Sequence, residues 1–342
     1  MRRSWIVAAA MLALPGITFA DTGIGKYAGE FLALGVGARP LGLGGAYVAL
    51  ANDVSAGYWN PAGLARIDYP ELMLMHAEHF GSLVNHDYGA VAFPVGPTTS
   101  LGISLIRLGV DDIPDTRNAG VDAGGNVTFD PNQFSRVDPS RVSYFSSADW
   151  ALFFTYSRRH SENLTYGANL KIIRRELGDN NATGVGFDVG IQYSPLERLV
   201  LGANLQDVTT TLVAWNSGRN DLISPTLKTG AAYTVDALGG RFTPVMDLDV
   251  MFENRRSAST FSVGPVSVDV QGGLEYAFKD LIAVRVGYSD VQQLTLGAGL
   301  SLPKLTVDYS FAKFDATDQL GNTHRISVKF ILESDRFRRA DQ

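Results

Sequence analysis

The sequence predicts an all-β fold, a transmembrane antiparallel β-barrel of about fourteen strands with an N-terminal hatch that plugs the lumen. Three observations carry this prediction: apolar and polar residues alternate strictly, the alternating segments are even in number, and the connections between them are alternately short and long. Alternation with period two is typical of strands whose two faces meet different surroundings, whereas helices repeat every 3.6 residues.

Composition agrees with an ordered exported protein and excludes several function classes. The chain has 342 residues, of which 45% are hydrophobic and 19% charged, and its formal net charge is −6. This acidic balance argues against a nucleic-acid partner, because phosphates are bound by clustered basic residues. There is no cysteine, which excludes disulfides, zinc ribbons and thiol nucleophiles. We expect no cofactor.

The first twenty residues predict a signal peptide. Arg2 and Arg3 precede an apolar run over 5–14, and small residues follow at 18–20. A basic start, a short apolar middle and an alanine at the cut are typical of secretory signals. The run is shorter than the ~20 residues that span a bilayer. We therefore assign 1–20 to a signal peptide cleaved after Ala20.

Residues 21–69 do not fit a barrel wall. They are rich in glycine and then become more helix-like over 52–65. A large barrel without an insert would enclose a water-filled hole, so this stretch is predicted to be a compact hatch. The Gly35-x-Gly37 pair lacks the rest of a nucleotide-binding fingerprint, so tight packing is the preferred interpretation.

Residues 70–332 are predicted to form the barrel, followed by a C-terminal tail over 333–342. The alternation is clearest from Val266 onward, and an even strand number is the rule in bacterial barrels. The fourteen predicted strands are 70–80, 86–95, 98–109, 148–160, 163–177, 183–194, 199–210, 224–235, 241–253, 266–279, 281–289, 292–302, 304–314 and 322–332.

The apolar face of these strands is predicted to point outward into lipid. It carries aromatic residues near strand ends, such as Tyr193, Tyr233 and Tyr276, while the other face is mainly Gly, Ser, Thr, Asn and Gln. Outer-membrane barrels combine an apolar belt, interfacial aromatics and a polar interior. Short turns after even-numbered strands predict that both termini are periplasmic, in the outer membrane of a Gram-negative-type bacterium.

Several charged residues are predicted to face the lumen. Asp247 and Asp249 share one strand face, and charges on later strands would lie near them. They could tune ion selectivity or anchor the hatch, and we favour anchoring, because a plugged lumen needs satisfied polar groups. We expect Arg285, Arg325 or Lys329 to offset the acids. The lumen candidates are Asp247, Asp249, Asp269, Glu275, Arg285 and Arg325.

Two predicted outer loops, 110–147 and 211–223, carry apolar residues. The first could form the entrance for a hydrophobic substrate, and both could supply the contact surface for a protein partner. They could equally belong to an ordinary loop or, for Trp215, to an interfacial anchor. The outer-loop candidates are Phe129, Phe134, Tyr144, Phe145 and Trp215.

An enzyme is a remote alternative, in the form of an outer-membrane hydrolase. His76 and His79 are three residues apart on a predicted strand, so they face opposite sides and cannot share a metal. Neither G-x-S-x-G nor H-E-x-x-H occurs in the chain. We assign no catalytic residue and no metal ligand.

Two motifs resemble a known family. The runs over 37–50, 52–53 and 58–64 resemble the N-terminal hatch of the PorV/PorQ family, which is related to the FadL fatty-acid transporters. The run 321–330 resembles that family's last strand, so Phe330 would belong to the signal read by the barrel assembly machinery. The tail over 333–342 departs from that pattern. The hatch-motif residues are Gly37, Arg39, Gly42, Gly44, Gly45, Asn60, Pro61, Ala62 and Gly63.

The resemblance implies two functions. FadL relatives let hydrophobic molecules enter from outside and leave through a kink or gap beside the hatch, and this is our main interpretation. PorV relatives act as scaffolds or shuttles in type IX protein secretion or surface attachment, which is the alternative. The expected partners are outer-membrane lipid and the assembly machinery, with either a hydrophobic small-molecule substrate or secretion-system proteins.

Overall fold

A computed structural model describes residues 29–80, 82–253, 255, 259–313 and 322–339. The predicted signal peptide and Gly321 lie outside these residues. Within them, fourteen antiparallel strands form a closed barrel, because the last strand pairs with the first from Glu71↔Ile331 to Glu78↔His324. Closure leaves no free sheet edge, as a lipid environment requires. The predicted all-β fold, an antiparallel barrel of fourteen strands, is confirmed.

All fourteen predicted strands overlap barrel strands of the structure. In the described residues the strands are β1 Glu71–His79, β2 Val84–Val95, β3 Thr99–Asp115, β4 Gly120–Val121, β5 Arg136–Val137, β6 Ser143–Ser161, β7 Leu164–Leu177, β8 Asn180–Leu196, β9 Leu199–Gln206, β10 Thr211–Trp215, β11 Asn220–Ile223, β12 Thr226–Tyr233, β13 Val235–Ala237, β14 Gly240–Met251, β15 Phe261–Val263, β16 Val266–Phe278, β17 Ile282–Tyr288, β18 Leu294–Leu302, β19 Leu305–Lys313 and β20 Thr323–Ile331. The barrel consists of β1, β2, β3, β6, β7, β8, β9, β12, β14 and β16 to β20.

In the part of the chain that the structure describes, helical structure is confined to short pieces. They are α1 Glu30–Ala33, α2 Ala38–Gly42 and α3 Ala56–Trp59, with 3₁₀ turns over Pro61–Arg66 and Pro139–Arg141. Among the described residues, none of these helices has the length and apolar character needed to cross a membrane.

The two faces of the wall differ as the alternation predicts. On β8 the side chains of Val185, Phe187, Val189, Ile191 and Tyr193 are 44–50% exposed on the outside. The alternating inward positions on this strand are buried and include Asp188 and Gln192. The apolar face therefore points outward and the polar face points into the lumen.

The barrel has a turn end and a loop end. We define the turn end by the short connections 96–98, 162–163, 197–198 and 303–304, and the loop end by 116–142, 207–225 and 252–265. The prediction placed the first long loop over 110–147. In the structure β3 continues through a bulge, where Asp112 has φ 57° and pairing resumes at Ile113↔Phe145, so the loop is shorter than predicted.

Tyr144 and Phe145 are therefore wrongly predicted as loop residues, because both lie on β6. Trp215 likewise lies on β10 rather than in a loop. Phe129 and Phe134 do lie in the loop over 116–142.

The predicted strand 199–210 is interrupted at mid-wall. Leu205 pairs with Val189 of β8, and the next paired residue, Leu212, pairs with Val185. The chain therefore advances seven residues from 205 to 212 while β8 advances four, so three residues are extra. The neighbouring strand breaks at the same level, at Ser224 and Pro225 between β11 and β12. Proline has no N–H for the ladder, which favours a break there. We call 207–210 together with 224–225 the wall interruption.

Because the apolar face points outward, the stability cost of a charged substitution on it should depend strongly on its depth in the bilayer. We expect Val189→Arg, at mid-strand, to lower the free energy of unfolding by about 2–4 kcal/mol, because it places a cation at the centre of the bilayer. Leu196→Arg, at the turn end of the same strand, is the matched control and should cost at most about 1 kcal/mol. Urea unfolding in liposomes, followed by tryptophan fluorescence, measures both, and equal losses would contradict the outward orientation.

Candidate functional site

The lumen holds the chain from residue 29 to residue 67, which we call the inner segment. Its side chains Val36, Leu43, Tyr47 and Val54 are at most 1% exposed. They belong to one apolar cluster with inward residues of the wall, among them Met73. The segment therefore forms a packed core with the barrel interior rather than a loose tail.

Close contact between the inner segment and the wall depends on wall glycines. A Cβ at Gly190 would lie 2.1 Å from Oδ1 of Asn60, and one at Gly202 would lie 2.5 Å from the carbonyl oxygen of Val48. The motif residue Gly44 has φ 72°, and a Cβ there would meet the backbone of Tyr288 at 2.5 Å. Only glycine allows two backbones to approach so closely.

The Asn60-Pro61 turn joins three parts of the chain. Asn60 is fully buried, and its Oδ1 accepts a hydrogen bond from the backbone N–H of Ala62 at 3.1 Å. Its Nδ2 donates to the carbonyls of Val48 at 2.9 Å and Ile191 at 3.1 Å. Pro61 occupies the first position of the 3₁₀ turn, where its missing N–H costs nothing.

Polar side chains of the wall satisfy the irregular backbone of the inner segment. Nε2 of Gln192 donates to the carbonyls of residues 48, 49 and 51, the closest at 2.8 Å. The Asp247 carboxylate accepts from the N–H groups of Tyr47 at 2.6 Å and Val48 at 2.8 Å. Asn169 donates to the Gly57 carbonyl at 2.7 Å. Buried backbone groups outside regular structure need such partners.

A charged network holds the inner segment near the turn end. Nε and Nη2 of Arg39 donate to the two carboxylate oxygens of Glu275, each at 2.9 Å. Glu275 also accepts from Arg285 at 2.6 Å, and Arg285 donates to Asp308 at 2.8 Å. Bidentate arginine–carboxylate pairs are strong and fix orientation.

Asp53 of the inner segment joins this charged region through Lys329, whose Nζ lies 3.6 Å from a carboxylate oxygen. Burial raises the pKa of the Asp53 carboxyl, but the charges of Lys329 and Arg39 outweigh burial and hold that pKa below its usual value. Asp53 therefore remains ionised in the folded protein at neutral pH.

The six lumen candidates all lie inward, each at most 8% exposed, but they do not form one group. Asp247 binds the inner segment, and Glu275 and Arg285 belong to the charged network. Asp249 pairs with Lys228, and Asp269 pairs with Arg255. Of the three basic residues expected to offset the acids, Arg285 pairs with Glu275, whereas Arg325 has no acidic partner among the described residues. The register also brings Lys228, Arg255 and Arg39 to the acids, which was not predicted.

An apolar cavity of about 100 Å³ lies between the inner segment and the wall interruption. We call it the side cavity. Tyr58 and Phe153 form part of its surface; burial raises the pKa of the Tyr58 phenol to about 12, and this hydroxyl donates to the Leu32 carbonyl. The lining comprises Gly29, Leu32, Ala33, Tyr58, Phe153, Lys171, Gln206, Asp207, Ile223, Thr226, Lys228 and Met251.

Two ammonium groups at the side cavity are neutralised by acids. Nζ of Lys171 lies 2.8 Å from Asp207 and 3.3 Å from Asp188, and Lys228 pairs with Asp249. Because their charges are compensated, the apolar side chains determine what the cavity accepts. Its surface and its position at the wall interruption suit a small hydrophobic molecule. Lys171, Asp188 and Asp207 were not predicted, since only the interruption brings Asp207 to the other two.

A second cavity, of about 250 Å³, lies near the turn end and is strongly polar. Its lining includes Arg39, Asp53, Glu275, Arg285 and Asp308. A hydrophobic molecule would gain nothing by displacing these ion pairs. The two cavities therefore differ in chemistry as well as in position.

The outer-loop candidates lie elsewhere. Phe129 is 77% exposed and Tyr144 is 67% exposed. Nε1 of Trp215 donates to Asp221 at 2.7 Å, and the Arg175 guanidinium lies 5.7 Å from the centre of its ring. None of the five candidates is among the described residues that line the side cavity.

The prediction that His76 and His79 face opposite sides of the strand is confirmed, because the side chain of His76 is 57% exposed outside the wall and His79 is buried inside. Across the described ranges, no group of three His, Cys, Asp or Glu residues is placed to hold a metal ion.

The sequence matches no protein-family model and no curated protein. The fold matches solved structures of FadL-type transporters. The toluene transporter TbuX of Ralstonia pickettii has a TM-score of 0.57 at 12% identity, over 87% of this chain and 99% of that one. A Pseudomonas aeruginosa FadL homologue has a TM-score of 0.55 at 14% identity, over 87% of this chain and 98% of that one. The CymD monoaromatic hydrocarbon channel has a TM-score of 0.58 at 13% identity, over 88% of this chain and 98% of that one. At these identities the likeness shows a shared fold.

Because Gly190 contacts the Asn60-Pro61 turn, adding one methyl group at this position should affect the inner segment and not the barrel wall. We expect Gly190→Ala to displace the inner segment and leave the barrel closed, because the new Cβ would overlap Asn60. Limited trypsin digestion at Arg66 should become faster. Gly272→Ala is the matched control, since the nearest atom to its Cβ would be 3.6 Å away. Unchanged digestion in Gly190→Ala would contradict the contact.

The Arg39–Glu275 pair predicts a large loss of stability on breaking it. Arg39→Met leaves the buried carboxylate short of one partner, and we expect the free energy of unfolding to fall by about 3 kcal/mol. Arg198→Met is the control, because Arg198 and Asp236 are 53% and 60% exposed and such pairs contribute at most about 1 kcal/mol. Urea titration in liposomes measures both variants, and equal small losses would show that the network does not hold the segment.

Proposed function

We propose that this protein passes hydrophobic small molecules across the outer membrane. The observation that carries the proposal is the apolar side cavity, which lies at an interruption of the wall. The neighbours in fold support it, since they are described as toluene transporters and a monoaromatic hydrocarbon channel. A cavity of about 100 Å³ suits a single aromatic ring better than a long chain.

The proposed route runs from the loop end through the side cavity and leaves through the wall interruption into the membrane. Passage through the turn end would require the molecule to cross the Arg39–Glu275 network and the hydrogen bonds of Gln192 and Asp247. Moving apolar matter past buried ion pairs is unfavourable. Exit at the interruption avoids the Arg39–Glu275 network, and the strand ladder is already broken there beside the exposed side chain of Val208.

The remaining assignments belong to the same proposal. The chain is exported by its signal peptide, the inner segment acts as the hatch, and both termini face the periplasm, which places the turn end there. The outward position of Phe330 on β20 supports its role in recognition by the assembly machinery. We also propose that the protein is not an enzyme, in keeping with neighbours that are transporters and channels.

Removal of the three extra residues tests the route. Deleting Val208–Thr210 restores the register between β9 and β8, because seven steps then become four. We expect toluene uptake by proteoliposomes to fall at least tenfold while the barrel still inserts, since the wall becomes continuous beside the cavity.

The matched control is deletion of Gly124 and Gly125 in the loop over 116–142, away from the wall. It should leave uptake unchanged. Heat-modifiable migration on gels reports barrel closure in both variants. Uptake that persists in a correctly inserted Val208–Thr210 deletion would rule out exit through the interruption, and no uptake by the unaltered protein would rule out transport.

The PorV/PorQ assignment remains a finer proposal, resting on the hatch motif over 37–63. The exposed aromatic side chains of Phe129, Phe134 and Tyr144 at the loop end favour its scaffold role, because apolar patches mark contact surfaces. Replacing all three with serine should then abolish co-purification of secretion-system proteins from native membranes. Toluene uptake should remain, and unchanged co-purification would exclude this surface.

A further inference from the structure

The chain that follows the last strand returns to the mouth of the lumen at the turn end. β20 ends at Ile331, and the N–H of Leu332 donates to the Pro70 carbonyl at 2.9 Å. The side chains over 333–338 are exposed, whereas Arg339 is only 7% exposed. We call 332–339 the return segment. It consists of an exposed stretch that ends in one buried arginine.

Arg339 joins two separate parts of the protein. Its Nε and Nη2 donate to the carbonyl of Ile67, the last residue of the inner segment, at 3.0 and 2.7 Å. Nη2 also donates to Oγ of Ser100 at 2.6 Å, and Nη1 donates to the Thr99 carbonyl at 3.2 Å. The backbone N–H of Arg339 donates to the Asp68 carbonyl at 2.7 Å. A single residue therefore ties the end of the inner segment to the β2–β3 connection.

The groups that Arg339 binds depend on it. Ile67 is 2% exposed and Ser100 is fully buried. Among the described residues, Arg339 is the one hydrogen-bond partner of the Ile67 carbonyl and of the Ser100 hydroxyl. Buried polar groups that lose a charged partner are costly. The barrel wall does not need this contact, because β20 pairs with β1 from Ile331 onward without the return segment.

Two further arginines lie at the same turn. Nη2 of Arg159 on β6 donates to the Ala65 carbonyl at 3.3 Å, and Arg66 is the next residue of the inner segment. Burial and then the charge of Arg159 lower the pKa of both Arg66 and Arg339. The nearest acid to Arg339 is Asp68, 3.9 Å from its Nε and 63% exposed. Like charges repel, so hydrogen bonds hold this end of the inner segment against an electrostatic force.

We propose that the return segment is a latch: Arg339 clamps the end of the inner segment against the β2–β3 connection and keeps the lumen closed to ions at the turn end. The latch can open without unfolding of the barrel, because its anchor is one side chain and its other residues are exposed. Opening frees the 3₁₀ turn over Pro61–Arg66, which contacts β6, β7 and β8 inside the lumen. This device is independent of the proposed route for hydrophobic molecules.

Hydrogen exchange on the full chain in lipid nanodiscs tests the latch. A peptide covering 62–68 contains the amide of Ala65, which donates to Oγ of Ser157 at 3.0 Å. We expect Arg339→Met to speed exchange in this peptide at least about tenfold, because the buried carbonyl and hydroxyl lose their partner. Exchange in β7 should stay the same. Arg339→Lys should recover part of the protection, because it keeps the charge and loses the planar fork.

The matched control is Arg338→Met, which removes the neighbouring, exposed arginine of the same segment. It should leave exchange over 62–68 unchanged. Potassium chloride conductance in planar bilayers measures closure of the lumen. We expect the unaltered protein and Arg338→Met to stay closed and Arg339→Met to show openings.

Three results would overturn the proposal. Unchanged exchange over 62–68 in Arg339→Met would show that Arg339 does not hold the inner segment. Equal acceleration in this peptide and in β7 would show a general loss of stability instead of a latch. Faster exchange over 62–68 without openings would exclude the sealing role. Toluene uptake enters none of these measurements, so the latch and the proposed transport can fail separately.

Discussion

The structure depends on one constraint: backbone polar groups that are removed from water must find partners. The wall meets it by closure of β20 on β1, which pairs every strand edge. The inner segment has almost no regular structure and meets it through wall side chains, such as Gln192 on three carbonyls and Asp247 on two N–H groups. Wall glycines allow the contact distances that these bonds need. The inner segment and the barrel are thus one packed unit.

The same constraint decides where a hydrophobic molecule can pass. The polar groups of the inner segment are paired by many ion pairs and hydrogen bonds near the turn end. A hydrophobic molecule would have to disrupt these interactions to pass there. At the wall interruption the ladder is already broken, and the lining beside it is apolar, with Tyr58, Phe153 and Ile223. Polar sealing at one end and an apolar cavity at the side are therefore two results of one folding problem, and together they give the barrel its proposed function.

Period-two alternation was enough to predict the fourteen strands and their outward face, because lipid and lumen impose opposite chemistry on alternate residues. The interruption was not predicted, because Gln206 and Asp207 break the alternation only near the end of the segment 199–210, and the three extra residues appear only in the pairing with β8. The ion-pair partners were also missed, because they depend on the register between strands. Lys228 and Asp249 pair across neighbouring strands, and the local sequence pattern does not predict that register.

Occupation of the side cavity by a hydrophobic molecule is the most direct measure of the account. The natural chain has no cysteine, so Ala33→Cys provides a single thiol at the cavity and Ala283→Cys one at the polar cavity near the turn end. We expect toluene to slow maleimide labelling at position 33 in a saturable way and to leave position 283 unaffected. Equal labelling rates at position 33 with and without toluene would contradict the account.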